Sequence, residues 1–248
     1  MTALVIGYGS IGRRHARALA SIGSPLVIVN RRAAVRALAK QEHPTARVVA
    51  DLETLDREGF GWTAAVAVIA TWGPSHAALF DSLADRGVRR ILCEKPMAAS
   101  VHDACAMAER AEREGIFLGL NHTVRYAGLA PALRRLAAEH ELGEPVGVTV
   151  EGGAACLLTN GIHWIDFTTE LLGAAPKQVI STAYGEAINP RSQDLLLYGG
   201  TAVWTFGDQR EGVILFSNRS SIRPHAEIYY RDAVIAAGYT AGGTDEHV

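Results

Sequence analysis

The tripeptide Glu94-Lys95-Pro96 places an amine between a carboxylate and a proline, directly after a short hydrophobic run. A lysine amine exchanges a proton near neutral pH when partial burial or a neighbouring positive charge lowers its pKa. The proline restricts the backbone after Lys95 and removes one hydrogen-bond donor. The stretch therefore predicts either a reaction centre in which Lys95 handles a proton, or an ion pair in which Glu94 orients the end of a strand.

Three glycines near the amino terminus, Gly7, Gly9 and Gly12, have the spacing G-x-G-x-x-G between an apolar strand and a predicted helix at 13–21. In a dinucleotide site the first glycine permits a tight turn, the second lets a pyrophosphate approach, and the third lets the helix pack closely. The helix N-terminus favours phosphates through its free N–H groups. His15 is expected to pack or to form a local hydrogen bond. The predicted phosphate loop consists of Gly7, Tyr8, Gly9, Ser10, Ile11 and Gly12.

The second predicted strand, residues 26–29, ends in Asn30-Arg31-Arg32. A site that prefers NAD usually has an acidic residue there to hold the ribose 2′-hydroxyl. This strand end has no carboxylate to repel a 2′-phosphate, and two guanidinium groups are able to clamp one. The three residues therefore predict NADP in preference to NAD, unless both arginines only begin an exposed helix and contact water.

Strand-like and helix-like segments alternate through the first half of the chain. Residues 64–71 are apolar throughout, which is typical of a parallel strand buried on both faces, and further strands are predicted at 48–49, 88–94 and 116–120. The alternation predicts an α/β fold with a Rossmann-type, doubly wound parallel sheet and ligands at the carboxyl ends of its strands. Trp72 is equally compatible with strand-end packing. The candidates for cofactor contacts at these ends are Thr71, Trp72, His76, Glu94, Lys95 and Pro96.

From Glu144 onward one predicted helix, residues 161–173, is followed by a run of strands. The turn at 207–211 indicates a hairpin. This order favours an α+β domain with a mostly antiparallel, open sheet. The strands of the second half are predicted at 145–153, 177–184, 200–206, 211–218 and 226–235.

These patterns predict three parts of the chain: a dinucleotide-binding domain over residues 1–121, a domain for substrate binding and oligomerisation over 122–240, and a tail at 241–248. Apolar residues of the second domain either form a face for a homo-oligomer or pack on helices of the same chain. The residues in question are Val203, Ile214, Phe216 and Tyr229.

The bulk composition is that of an ordinary globular protein. The 248 residues are 48% hydrophobic and 20% charged with a formal net charge of -2, which disfavours a nucleic-acid or membrane partner. The amino terminus lacks the features of a signal peptide, and no apolar run is long enough to span a bilayer. The three cysteines are widely spaced and form no metal-binding motif. We therefore expect a cytoplasmic protein with reduced thiols, no metal site and a small-molecule substrate.

Beyond these local patterns, the chain resembles the Gfo/Idh/MocA oxidoreductases, the family that includes glucose–fructose oxidoreductase and inositol dehydrogenase. The resemblance extends from residue 3 to about residue 220 and rests on the segments GYGSIGRRH, DLETL, CEKPMA, NHTVRY and GIHWIDF. The glycine loop alone is common, but its combination with Glu-Lys-Pro and GIHWID is specific. The resemblance implies a Rossmann domain followed by an α+β domain, which is short here.

The resemblance also implies roles for single residues. Lys95 matches the lysine that lies beside the nicotinamide and the reacting carbon–oxygen bond, and His163 matches the histidine of G-x-H-x-x-D. Many members have an aspartate four residues before that histidine, whereas this chain has Thr159, which cannot be a net proton acceptor near neutral pH. Lys95 and His163 are therefore the predicted catalytic residues. The predicted substrate-binding residues are Lys95, His122, Arg125, Thr159, Asn160 and His163.

By this resemblance the chain is expected to be an NADP-dependent dehydrogenase or reductase. It would transfer a hydride between nicotinamide and a hydroxyl or ketone of a sugar, sugar derivative or cyclitol. Because Thr159 replaces the aspartate and the second domain is short, two other hypotheses stay open. One is a dinucleotide-binding sensor or partner subunit without catalysis, and the other is an enzyme completed by another chain.

Overall fold

The computed structural model describes residues 1–153, 156–186 and 197–238. The chain divides into two compact units, Met1–Asn121 and His122–Val248. Each unit contains one six-stranded sheet. Within the described ranges, no helix is long and apolar enough to cross a membrane.

The first unit alternates strands and helices. Its strands are β1 (Thr2–Ile6), β2 (Leu26–Val29), β3 (Arg47–Val49), β4 (Ala65–Ile69), β5 (Arg90–Cys93) and β6 (Phe117–Leu120). Its helices are α1 (Ser10–Ser21), α2 (Ala33–Glu42), α3 (Leu52–Arg57), α4 (His76–Asp85) and α5 (Val101–Arg113), with short 3-10 turns at Trp62–Ala64 and Gly73–Ser75. The strand order is β3-β2-β1-β4-β5-β6 and all neighbouring pairs are parallel. This order confirms the predicted doubly wound sheet, whose direction of winding reverses between β1 and β4.

Burial on both faces explains why the strands of this sheet are apolar. In β1, Leu4 and Ile6 belong to one hydrophobic core, whereas Ala3 and Val5 belong to a second core on the opposite face. Side chains alternate between the two faces of a strand, so a strand that is covered on both faces has no position for a polar residue. Polar side chains therefore appear only where the strands end, which is where the candidate site lies.

The second unit has a mostly antiparallel sheet, as predicted. Its elements are α6 (Thr123–Tyr126), α7 (Leu129–Glu139), β7 (Gly147–Gly152), α8 (Gly161–Leu172), β8 (Gln178–Glu186), β9 (Leu197–Thr205), β10 (Glu211–Phe216), β11 (His225–Tyr229) and β12 (Val234–Gly238). The strand order is β12-β11-β7-β10-β9-β8, in which only the pair β7 and β10 is parallel. The prediction of one continuous strand at 226–235 is wrong. This segment forms a turn between β11 and β12, which the Tyr230 N–H closes by donating to the Ala233 carbonyl at 2.8 Å. The predicted tail at 241–248 lies outside the described residues.

The strand alternation places the four apolar residues predicted for an oligomer face or for packing on helices, Val203, Ile214, Phe216 and Tyr229, on two different faces of the sheet. Ile214 and Phe216 are buried in the core that includes the aromatic side chains of α8. Val203 and Tyr229 are only half-buried and lie on the opposite face, where Val203 pairs across the strands with Ile180. The packing hypothesis is therefore confirmed for Ile214 and Phe216, whereas a homo-oligomer face stays a prediction for Val203 and Tyr229.

Candidate active site

The glycine loop joins β1 to α1, and its three glycines differ in what surrounds them. Gly7 has φ +94°, and a Cβ there would lie 2.6 Å from the Ala70 carbonyl oxygen. A Cβ at Gly12 would overlap the carbonyl oxygen of Gly7. Gly9 has φ -84°, and a Cβ there would have no atom within 4 Å. The protein itself therefore requires glycine at positions 7 and 12, whereas glycine at position 9 suits a ligand that approaches the backbone from outside, as a pyrophosphate would.

Tyr8 has a buried side chain whose hydroxyl donates to Glu42 Oε2 at 2.6 Å, and Arg13 Nε donates to the same oxygen at 3.0 Å. The hydrogen bond from Arg13, and to a smaller extent that from Tyr8, lowers the pKa of Glu42 to about 2. Burial, and to a smaller extent the hydrogen bond to Glu42, raises the pKa of Tyr8 to about 12. Ser10 is exposed at the start of α1, and Ile11 is half-buried. The Tyr8 side chain thus connects the glycine loop to the end of α2. The backbone of Tyr8, and not its side chain, is therefore available for the predicted cofactor contact.

The predicted determinants of cofactor preference follow β2. Asn30 Oδ1 accepts the backbone N–H of Arg32 at 3.0 Å. Arg36 Nη1 donates to the carbonyl oxygens of Asn30 and Arg31, at 3.0 and 2.6 Å. Arg31 and Arg32 are exposed, and within the described part of the chain their guanidinium groups form no hydrogen bond or ion pair. Arg36, which was not among the predicted site residues, therefore shapes the loop, while the guanidinium groups of Arg31 and Arg32 face outward.

Thr71, Trp72 and His76 follow β4. The Trp72 side chain is 67% exposed, so the alternative of strand-end packing is wrong. Fully buried His76 has Nδ1 2.9 Å from the Pro96 carbonyl oxygen and Nε2 3.1 Å from the Thr71 carbonyl oxygen. Because both ring nitrogens face backbone oxygens, His76 joins two strand ends and has no ring nitrogen left for the predicted cofactor contact. The Thr71 hydroxyl lies 2.7 Å from that of Ser75.

Glu94 directly follows β5 and is buried. Its Oε1 accepts hydrogen bonds from His15 Nε2 at 2.7 Å and from Asn121 Nδ2 at 2.6 Å. Burial raises the pKa of Glu94, but the hydrogen bonds from His15 and Asn121 outweigh it and hold the pKa below its usual value. Lys95 is half-buried next to this carboxylate, and the Lys95–Pro96 peptide bond is cis. The predicted pairing of Glu94 is thus a hydrogen-bonded contact with His15 and Asn121.

In the second unit, two of the predicted motifs come together around Asp166. Arg125 donates to both carboxylate oxygens, with Nε 3.0 Å from Oδ2 and Nη2 2.8 Å from Oδ1. His122 Nδ1 lies 3.7 Å from Asp166 Oδ2. The rings of His122 and His163 meet edge to face, with centroids 5.4 Å apart. Asp166 was not among the predicted site residues, although the G-x-H-x-x-D motif contains it and could have indicated it.

Thr159 and Asn160 lie directly before α8, with Asn160 at the N-cap position and Thr159 exposed. The Thr159 side chain forms a hydrogen bond with the thiol of Cys156. Burial raises the pKa of that thiol, but the bonds from Thr159 and from backbone N–H groups outweigh burial and lower it. The position where the family pattern has an aspartate therefore has a hydroxyl beside a thiol.

The strand order and the glycine loop together define a dinucleotide-binding protein of the Rossmann class. A family model described as "Oxidoreductase family, NAD-binding Rossmann fold" matches residues 1–122. Residues 1–122 are therefore an oxidoreductase domain of the Gfo/Idh/MocA family, as the sequence resemblance implies.

Characterised relatives are similar to part of the chain. The 1,5-anhydro-D-fructose reductase of Ensifer adhaerens is 26% identical over 133 residues, which are 46% of this chain and 40% of that protein. The D-apiose dehydrogenase of Paraburkholderia graminis is 31% identical over 142 residues, which are 48% of this chain and 38% of that protein. The chain thus matches less than half the length of these relatives.

Solved structures match nearly the whole chain. A probable dehydrogenase from Thermotoga maritima has a TM-score of 0.80 at 18% identity and covers 98% of this chain and 77% of its own. A scyllo-inositol dehydrogenase from Lactobacillus casei with bound NAD(H) and scyllo-inositol has a TM-score of 0.78 at 15% identity, covering 95% and 75%. At these identities the likeness shows the fold, which includes the second unit.

Proposed function

We propose that the chain is an NADP-dependent oxidoreductase that transfers a hydride between nicotinamide and a hydroxyl or ketone carbon of a sugar, sugar derivative or cyclitol. The observation that carries the proposal is a glycine loop open at Gly9 on the same sheet as β5, the strand that Glu94 and Lys95 follow. The relatives support the substrate class, because they include a reductase and a dehydrogenase of sugars. The solved neighbour with NAD(H) and scyllo-inositol supports a cyclic polyol as an alternative substrate.

The residues of the first unit fit a dinucleotide. Gly9 leaves room for a pyrophosphate, and the N-terminus of α1 supplies N–H groups to it. Arg31 and Arg32 have outward-facing guanidinium groups that suit a 2′-phosphate. The exposed indole of Trp72, at the end of the neighbouring strand, is proposed as a further cofactor contact. When bound, the nicotinamide supplies or accepts the hydride.

Proton transfer falls to side chains of the protein. An alcohol loses a proton as its carbon loses a hydride, and a ketone oxygen gains one in the reverse direction, so a proton-exchanging group must lie within hydrogen-bond reach. By the family resemblance we assign this role to Lys95 and His163. The bidentate bond of Arg125 to Asp166 supports a role for Arg125 in orienting Asp166, in addition to any substrate contact.

Turnover measured by nicotinamide absorbance with a panel of sugars and cyclitols tests the proposal. We expect Lys95→Met to lower kcat by about a hundredfold or more, the usual effect of removing a proton-transferring group. Exposed Lys177 of the second unit supplies the control variant Lys177→Met, which should keep the wild-type rate. Unchanged turnover in Lys95→Met would remove Lys95 from the mechanism. Dinucleotide binding without turnover on any substrate would instead favour the non-catalytic sensor or partner subunit.

Cofactor preference is tested by calorimetry. Replacing Arg31 and Arg32 by serine should weaken NADP binding about 10- to 100-fold, as expected for the loss of charge-assisted bonds to a phosphate, and leave NAD binding unchanged. Arg90→Ser provides the control, because exposed Arg90 begins β5 and so lies at the amino-terminal ends of the parallel strands, opposite the predicted cofactor site. Equal wild-type affinities for NADP and NAD would contradict the NADP assignment.

We also propose that the outer face of the second sheet forms a homo-oligomer. Ile180 and Leu215 on this face are 64% and 45% exposed, and half-buried Val203 lies between their strands. Exposed apolar side chains on a sheet face favour burial against another surface. Ile180→Glu should lower the mass measured in solution from that of an oligomer to that of a monomer. A wild-type protein that is monomeric at every concentration would contradict this assignment.

A further inference from the structure

The carboxylate of Glu94 is a common acceptor for three parts of the first unit. His15 donates to it from α1 and Asn121 donates from the end of β6. The backbone N–H of Lys95 also bonds to the carboxylate, and with the other bonds it lowers the pKa of Glu94 against the effect of burial. Glu94 is only 5% exposed. A carboxylate buried to this extent stays ionised only when hydrogen bonds replace its lost contacts with water.

The protonation of this cluster follows from the chemistry of its members. An ionised carboxylate only accepts hydrogen bonds, so His15 Nε2 must carry a proton to bond with Glu94. The amide of Asn121 must likewise point its nitrogen, and not its oxygen, toward the carboxylate. The cluster therefore specifies one orientation for each side chain.

The backbone on both sides of Lys95 is held as well. The Glu94 N–H donates to the Ile69 carbonyl and the Asn121 N–H donates to the Cys93 carbonyl, each at 2.9 Å, so the parallel ladder continues past the strand ends. Beyond Lys95, the Pro96 carbonyl oxygen lies 2.9 Å from Nδ1 of buried His76. Lys95 is thus held between two histidine contacts, one before it and one after it in the chain.

We infer that Glu94 and His15 are positioning residues that hold the backbone of Lys95 to α1, the helix that begins at the glycine loop. The loop that would bind the cofactor phosphates and the lysine at the reacting end are then one hydrogen-bonded unit. This inference rests on the proposed function, since it concerns how Lys95 is placed for chemistry. Displacing a reacting group by about 1 Å costs about a hundredfold in rate, so His15 affects the chemical step without contacting the substrate.

Backbone hydrogen exchange in the full chain without cofactor tests the hydrogen-bonded unit directly. Glu94→Ala should speed exchange of the Lys95 amide about tenfold or more, because that N–H loses its acceptor. His15→Leu should speed exchange of the Lys95 amide by a smaller factor. Added to Glu94→Ala, it should cause no further increase in the exchange rate. If Glu94→Ala impairs folding, Glu94→Gln replaces it; its neutral oxygen is a weaker acceptor than a carboxylate, so it should speed exchange of the Lys95 amide by a smaller factor. Independent effects of the two changes, whose factors multiply in the double variant, would overturn the inference.

Kinetics separates positioning from a purely structural role. We expect His15→Leu to lower kcat about tenfold or more while KM values and NADP affinity by calorimetry stay within about threefold. His15→Gln, which can still donate to Glu94, should recover most of the rate. His102→Leu is the matched control, because His102 is exposed on α5. A loss of NADP affinity that accounts for the whole change in rate would overturn the inference.

The two measurements also keep this inference distinct from the proposed function. If the wild-type chain shows no turnover with any substrate, the proposed function fails, and the exchange of the Lys95 amide still decides whether the unit exists. If turnover is present and the exchange effects are independent, the positioning role fails alone.

Discussion

The two units each set a histidine beside a carboxylate, and the two carboxylates are held in opposite ways. The Glu94 cluster consists of Glu94, His15 and Asn121, and the Asp166 cluster consists of Asp166, Arg125, His122 and His163. Glu94 is buried and its side-chain bonds are 2.7 and 2.6 Å long. Asp166 keeps 21% of its side chain exposed, and the nearest nitrogen of His122 lies 3.7 Å away, too far for a direct hydrogen bond.

The difference shows how burial decides what a carboxylate contributes. A buried charge depends on every partner, because losing one leaves it uncompensated away from water. A partly exposed pair such as Arg125 and Asp166 can replace a lost partner with water, so its net contribution to stability is small. The Glu94 cluster therefore suits the fixed placement of Lys95 that we infer, and the partly exposed Asp166 cluster suits the proton exchange that we propose for His163.

The largest effect is expected of Asn121→Asp, which sets a second carboxylate against Glu94. We expect the free energy of unfolding near neutral pH to fall by about 3 kcal/mol or more, because two buried like charges lack compensation. The loss should shrink in acid as one carboxyl takes a proton. Asn121→Ala, which removes the donor without adding a charge, should cost about 1–3 kcal/mol. Denaturant unfolding measures both, and equal losses in the two variants would argue against an ionised Glu94.

A smaller effect concerns the pH dependence of stability. The pKa of Glu94 is lowered in the folded chain, so ionised Glu94 adds stability above its unfolded pKa of about 4.3. That contribution is lost as the pH falls through the lower, folded pKa. The difference in unfolding free energy between wild type and Glu94→Gln should therefore shrink from neutral pH toward acid. Denaturant titrations across this range would contradict the assignment if the difference grew in acid.

The smallest effect is expected at the Asp166 cluster. Asp166→Asn should change the free energy of unfolding by about 1 kcal/mol or less, and added salt should reduce the change further, because the ion pair is partly exposed. Arg125→Gln serves as the matched variant and should behave alike. Unfolding at low and high salt measures both. A loss as large as that of Asn121→Asp would show that burial does not distinguish the two clusters.

Much of the first unit could be predicted from local patterns. The glycine spacing, the apolar strand at 64–71 and the alternation of elements all have local physical causes, and the parallel sheet confirms them. The hairpin at β11 and β12 was missed because its strands are short and the turn around Asp232 has no glycine or proline to mark it. Helix and strand patterns report which face is buried, but they do not report where a short turn divides an apolar run.

The partners within the site were less accessible. His15 was expected only to pack or to form a local bond, yet it bonds with Glu94, 79 residues further along the chain. Likewise, His76 begins a helix near a strand end, which suggested a cofactor contact, but its ring is buried between backbone oxygens. No local pattern distinguishes a histidine that faces a ligand from one that joins two strand ends.

Residue types alone were enough to predict the class of this protein. A close backbone contact requires glycine, and burial on both faces requires an apolar strand, so both features are visible in the sequence. It also singled out Lys95, by its place after a buried strand. How Lys95 is held depends on the fold, since parallel strands set residues 94 and 121 side by side and α1 brings His15 to them. Hydrogen bonds between such distant residues depend on packing geometry, which the residue types alone do not specify.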